Sequence, residues 1–93
     1  MSITLPLTIK IIYEQEAKSC PVVAYNPELD VASCGKDEEE AKRMLEEAIQ
    51  IVLEGAKEDG TLDQLLEEAG FLKKKEEFIP PKTYFGTFTY HFA

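Results

Sequence analysis

Four carboxylates, Glu28, Asp30, Asp37 and Glu38, lie close together along the chain. At a junction between a strand and a helix, acids so spaced could hold two magnesium ions, as metal-dependent nucleases do to stabilise the attacking and leaving oxygens of a phosphodiester. A simpler chemistry accounts for the same residues. Turns favour Asp, and the first helical turn favours acids because its free N–H groups carry partial positive charge. No spaced carboxylate motif accompanies the four, so no metal is expected. Cys20, Cys34 and His91 also carry ligand-type side chains, but they lack zinc-site spacing and contain no CxxC pair. They read as two reduced, buried thiols and an edge-strand imidazole. The run Lys73-Lys74-Lys75 could touch an anion, yet Glu76 and Glu77 follow at once, as in a solvated connection. With one histidine and no glycine-rich phosphate loop, the chain is not expected to be an enzyme, and neither a catalytic residue nor a cofactor is assigned.

The elements that must position these side chains belong to a single domain, residues 1–93, since 93 residues suffice for one core. Acids outnumber bases 18 to 10, for a net charge of -8 and a pI near 4.6. Phosphate backbones are bound by clustered Lys and Arg, so direct DNA binding is not expected and a basic protein is the natural partner. The opening stretch MSITLPLTIKIIYEQ is apolar but has no basic leader and carries Lys10 and Glu14. Neither a signal peptide nor a membrane span fits, and with reduced thiols the expected location is cytoplasmic.

Apolar residues at Ile3, Leu5, Leu7, Ile9, Ile11 and Tyr13 alternate with Thr4, Thr8 and Lys10, the pattern of a strand with one buried side. Pro6 lacks a ladder donor, so regular pairing begins after it or the stretch is an edge. Residues 14–19 form a hairpin connection into a second strand, Cys20 to Tyr25, which Asn26-Pro27 breaks. A third strand runs from Val31 to Cys34 and stops at Gly35. Asp37 and Glu40 have the spacing of a capping box. The stripe Ala41, Met44, Leu45, Ala48, Ile49, Val52 and Ala56 then predicts a long helix lying on the sheet. Gly55, Asp59 and Gly60 loosen it. Thr61 and Gln64 suggest a second capping box for a short helix over 61–70, ended by Gly70. Ile79-Pro80-Pro81 reads as a stiff spacer before a last strand, 84–92, whose Tyr84, Phe88, Tyr90 and Phe92 share one face. The order is β-β-β-α-α-β, an α+β domain with helices on one face of a mainly antiparallel sheet.

The segment VVAYNPELDVASCGKDEEEAKRMLEEAIQIVLEG, residues 22–55, resembles the HicB-like antitoxin family. Tyr25, Pro27, Glu28, Leu29, Gly35, Glu39, Glu40, Ala41, Glu47, Ala48 and Ile49 stand at the family's places, and the likeness covers roughly residues 10–56. Each residue also has a local role: Pro27 and Gly35 punctuate, Ala41 permits close helix-sheet approach, and Leu29 plugs the end of the core. Gly35-Lys36-Asp37 replaces the family's frequent Gly-Asp-Thr, and Asp caps a helix as well as Thr does. Many members append a DNA-binding domain, whereas residues 57–93 hold only a short helix and a strand, which puts autorepression in doubt.

The resemblance implies a partial ribonuclease H-like fold without nuclease activity, and a HicA-type toxin, a small basic ribonuclease, as partner. Inhibition would be by occlusion, with the acidic junction Glu28, Asp30, Asp37, Glu38 and Glu39 facing the basic RNA-binding surface. The alternative is a stand-alone regulatory or ligand-binding module of the same fold. A homodimer or higher homo-oligomer is also expected, held partly by Tyr84, Phe85, Phe88, Tyr90 and Phe92. The reason is that an exposed edge strand offers free backbone groups to an identical copy.

Overall fold

The computed structural model describes residues 4–75 and 77–93. Strands β1 (Lys10–Tyr13), β2 (Val22–Asn26) and β3 (Val31–Gly35) form an antiparallel sheet in that order. Helix α1 (Glu38–Asp59) packs across one face, helix α2 (Leu62–Glu68) follows, and β4 (Leu72–Lys74) with β5 (Glu77–Ile79) makes a separate two-stranded sheet. The fold is the expected α+β class, with β1, β2, β3, α1 and α2 in the expected order.

In β2 the side chains of Val22, Ala24 and Asn26 are buried while Val23 and Tyr25 are half-buried, the period of a sheet covered on one side. Ile11 lies opposite Ala24 and Tyr13 opposite Val22, so the core-facing parity of the first strand is the expected one. Regular pairing begins only at Lys10, after Pro6. Leu5 and Leu7 precede it as irregular chain packed against the core. Ile3, expected on the same face, lies outside the described residues.

Asp37 ends the connection after β3 in extended backbone, and its Oδ1 accepts the Glu40 N–H at 2.8 Å. Glu40 returns to the Lys36 N–H at 3.0 Å, one residue earlier than the usual reciprocal bond of a capping box. From there Ala41, Leu45 and Ile49 repeat every fourth residue and bury against Val22 and Ala24. Met44, expected in this stripe, sits at its margin and is 38% exposed. Close packing begins at Gly35, where a Cβ would stand 2.6 Å from the Ala41 nitrogen. The helix does not loosen at Gly55. It runs to Asp59 and stops at Gly60, whose left-handed backbone (φ 74°) lets its own N–H and that of Thr61 reach the last carbonyls.

A second cluster of Leu66, Phe71 and Phe78 is joined to the first through Leu7, Leu29 and Leu53. Here the structure departs from the sequence reading. Thr61 does not cap α2; its hydroxyl turns back to the Ala56 carbonyl, and Gln64 bonds Glu68 instead. The stretch read as a solvated connection, Lys73 to Glu77, forms most of the β4–β5 hairpin, apart from Glu76, which is not described. Lys75 turns in left-handed backbone. Burial of Phe78 against Leu66 and Phe71 supplies the driving force that the lysines conceal.

No strand forms over 84–92. Residues 80–93 are irregular, and the aromatic face expected to be core lies in solvent: Tyr84 is 83% exposed, Phe88 88% and Phe92 90%. His91 is likewise exposed and lies on no strand edge. A strand needs a neighbour to accept its backbone bonds, and the hairpin has already closed the second core. Cys20 and Cys34, read as reduced thiols, are joined in a disulfide between Cα atoms 5.5 Å apart. Cys34 lies opposite Val23, so it projects from the sheet face that α1 leaves bare. The hairpin brings the chain just ahead of β2 within reach of it.

Candidate functional site

The acids singled out in the sequence fall into two groups at opposite ends of β3. Glu28 and Asp30 lie in the turn before it and Asp37, Glu38 and Glu39 follow it. Five strand residues at ~3.3 Å each keep the groups roughly 17 Å apart. They do not form one junction.

Glu28 and Asp30 are occupied within the fold. Asn26, completely buried, donates from Nδ2 to the Thr8 carbonyl and to Glu28 Oε1, both at 2.8 Å, and its Oδ1 accepts the Leu29 N–H at 2.8 Å. The same Glu28 oxygen accepts the Thr8 N–H at 2.7 Å. This clamp fastens the irregular chain before β1 to the β2–β3 turn. Burial pushes the Glu28 carboxyl up, but the hydrogen bonds from Thr8 and Asn26 outweigh it and hold the group below its usual 4.5. Asp30, in left-handed backbone (φ 55°), accepts the Tyr25 hydroxyl at 2.8 Å. That hydrogen bond, with burial and the nearby charge, raises the Tyr25 phenol above 10.0.

At the other end, Glu38 accepts the Tyr13 hydroxyl at 2.8 Å and pairs with Lys42 at 3.3 Å, tying β1 to the first turn of α1. Both interactions lower the Glu38 carboxyl, and the hydrogen bond to Glu38 raises Tyr13. Asp37 is the helix cap. Glu39 alone among the five is exposed without a hydrogen bond or ion pair among the described residues.

Sequence reasoning passed over the outward side of α1. With its apolar stripe against the sheet, the helix turns Glu39, Glu46, Glu47, Glu54 and Glu58 to solvent over 22 residues, a span of ~33 Å. Arg43 and Lys57 interrupt this row, and Arg43 is held near Glu40 at 3.9 Å. Among the described residues Glu46, Glu47 and Glu58 have no ion-pair partner. The signal was present in the helical period: these acids fall opposite Ala41, Leu45 and Ile49. Of residues 36–77, 14 are acidic and 7 basic, so nearly all the net charge belongs to this part of the chain.

The bare face of the sheet carries Ile12, Val23, Tyr25 and Ala32 beside the disulfide. An open groove between α1 and α2 is lined by Ile51, Val52, Gly55, Ala56, Thr61 and Leu65. Among the described residues no three His, Cys, Asp or Glu side chains converge as a metal site, and no helix is long and apolar enough to cross a membrane. Comparison of the chain with protein-family models, with curated proteins and with solved structures finds no match. The fold and its surfaces define a small α+β protein with an acidic helix displayed on one side.

Proposed function

We propose that this chain is a HicB-like, antitoxin-type binding protein that covers the RNA-binding face of a small basic ribonuclease of the HicA type. The observation that carries the reading is the acidic outward side of α1. An extended row of carboxylates, held rigid by a helix seated on a sheet, complements a surface that would otherwise bind phosphates. The fold supports it too, through three antiparallel strands followed by a long helix with the close Gly35–Ala41 approach. Glu28 is set aside from the contact because its carboxylate holds Thr8. The acids that meet the toxin are Glu39, Glu46 and Glu47, whose carboxylates have no partner among the described residues, with Asp37 and Glu38 adding charge beside them.

No catalytic residue is needed, since inhibition follows from occlusion. An RNA-cleaving toxin works in the cytoplasm, so the inhibitor acts there as well. Intracellular disulfides are a feature of hyperthermophiles. The Cys20–Cys34 bond therefore commits this reading to such a cell, or to a chain that functions with the bond reduced.

The test uses a purified small basic ribonuclease of the HicA type, with RNA cleavage and association rate as readouts. Added chain abolishes cleavage while cleaving no RNA itself in magnesium. The association rate falls at least ~10-fold as ionic strength rises past the point where the screening length drops below ~8 Å. The triple variant Glu39→Lys, Glu46→Lys, Glu47→Lys lowers it similarly at low salt. Unimpeded cleavage would remove the toxin, and rates indifferent to salt and to these substitutions would remove the acidic helix from the mechanism.

A further inference from the structure

Residues 80–93 stand outside both cores, yet their composition is that of a strand. Thr83, Thr87 and Thr89 alternate with aromatic residues, the types favoured on a pleated surface. No backbone hydrogen bond joins residues 82–93 to either sheet among the described residues. Phe85, 56% exposed, rests beside Lys10 of β1, with the ammonium 5.3 Å from its ring centre, whereas Phe88 is exposed and Phe92 meets Tyr90 of the same segment edge-on at 4.9 Å. The radius of gyration is 15.7 Å, against ~12 Å for a compact chain of this length, and the molecule measures 47 × 34 × 19 Å. The segment projects as an arm.

Among the described residues β1 is an edge strand paired with β2 alone, so its outer edge offers backbone donors and acceptors. From these two unsatisfied elements we infer that two copies of this chain exchange arms. Residues 83–92 of each add as a strand to the β1 edge of the other, about a two-fold axis.

Area and charge single out a second copy as the occupant. A buried aromatic side chain covers ~150–250 Å². Five of them at the observed exposure offer ~600–950 Å² per arm, so two arms bring on the order of 1,200–1,900 Å², the size of a stable interface. The surface they cover adds to this. Each copy carries a net charge of -8, which opposes association, but between residues 80 and 93 there is no acid and one base, Lys82. The arm is therefore the part of the chain that approaches an acidic twin without repulsion. Ile12 on the bare face of the sheet, 38% exposed, lies beside the edge that receives it.

The experiment is light scattering on the full chain at ~10 μM, a concentration at which interfaces of this size are populated, together with amide hydrogen exchange in β1. The parent is expected at twice the 10.5 kDa chain mass, with the β1 amides protected. The variant Tyr84→Ser, Phe88→Ser, Tyr90→Ser, Phe92→Ser is expected at the single-chain mass, with unchanged far-UV circular dichroism and faster β1 exchange. A monomeric parent overturns the inference. A variant that remains dimeric removes the arm from the interface, and one that unfolds shows that the arm belongs to its own core. Unchanged β1 exchange in a monomeric variant would remove β1 as the receiving edge.

Discussion

Replacing Asn26 by Asp tests the clamp at the β2–β3 turn with an almost isosteric change. In the parent, the Asn26 amide nitrogen bonds a carbonyl and a carboxylate at 2.8 Å each, in a completely buried position. Aspartate presents an oxygen at that point, so two donated bonds become acceptor-acceptor contacts. The bond to Thr8 O is worth ~1 kcal/mol and the charge-assisted bond to Glu28 ~1.5–3 kcal/mol. Two carboxylates at this distance cannot both ionise, so the pair must hold a proton and the new group's folded-state pKa is raised. The expected loss at pH 7 is on the order of 3–5 kcal/mol, a large part of the stability of a small domain.

The pH dependence distinguishes this cause from a packing defect. In the variant the cost grows as pH rises above the unfolded carboxylate value toward the raised folded value, and stability returns as pH falls and an O–H replaces the lost N–H donor. The parent behaves in the opposite sense. Its Glu28 is held below 4.5, so that contribution is present above the unfolded value and is lost as pH falls through the lower folded value. The gap between the two proteins therefore narrows from pH 7 toward pH 4. Urea unfolding followed by circular dichroism at both pH values measures it. A loss under ~1 kcal/mol at pH 7, or a gap equal at the two pH values, would refute the clamp.

Two further outcomes follow from the covalent and steric frame. Reduction of the disulfide, or the double substitution Cys20→Ser, Cys34→Ser, should lower stability by about 3 kcal/mol in the loop-entropy treatment of a 14-residue separation. A urea midpoint indifferent to reductant would contradict the bond's contribution. Gly35→Ala places a methyl group against the Ala41 backbone and should cost ~1–3 kcal/mol, whereas Gly55→Ala, with nothing within 4 Å, should stabilise α1 by ~0.5–1 kcal/mol. Thermal melts that move in the same direction for both would show that helix and sheet do not meet as closely as described.

The sequence by itself determined the elements whose signals are local. The Asp37 cap, the period of Ala41, Leu45 and Ile49, and the Gly60 stop all act within a few residues of one another, so α1 is legible without knowledge of its neighbours. Asn26-Pro27 and Gly35 bounded β2 and β3 in the same way. What only the tertiary structure decided depends on which distant residues meet. Strand propensity in 84–92 says that the segment can pair but not which edge it will meet, and within its own chain it pairs with none. The three-residue strands β4 and β5 are too short to show alternation, and their existence rests on Phe78 reaching Leu66 and Phe71. Cys20 and Cys34 became a bonded pair because hairpin geometry brought them to 5.5 Å. The acids that looked like one site were divided by the length of β3, and Glu28 was drawn inward by Thr8 and Asn26. Composition counts charges, but the rise of an intervening strand sets how far apart they stand.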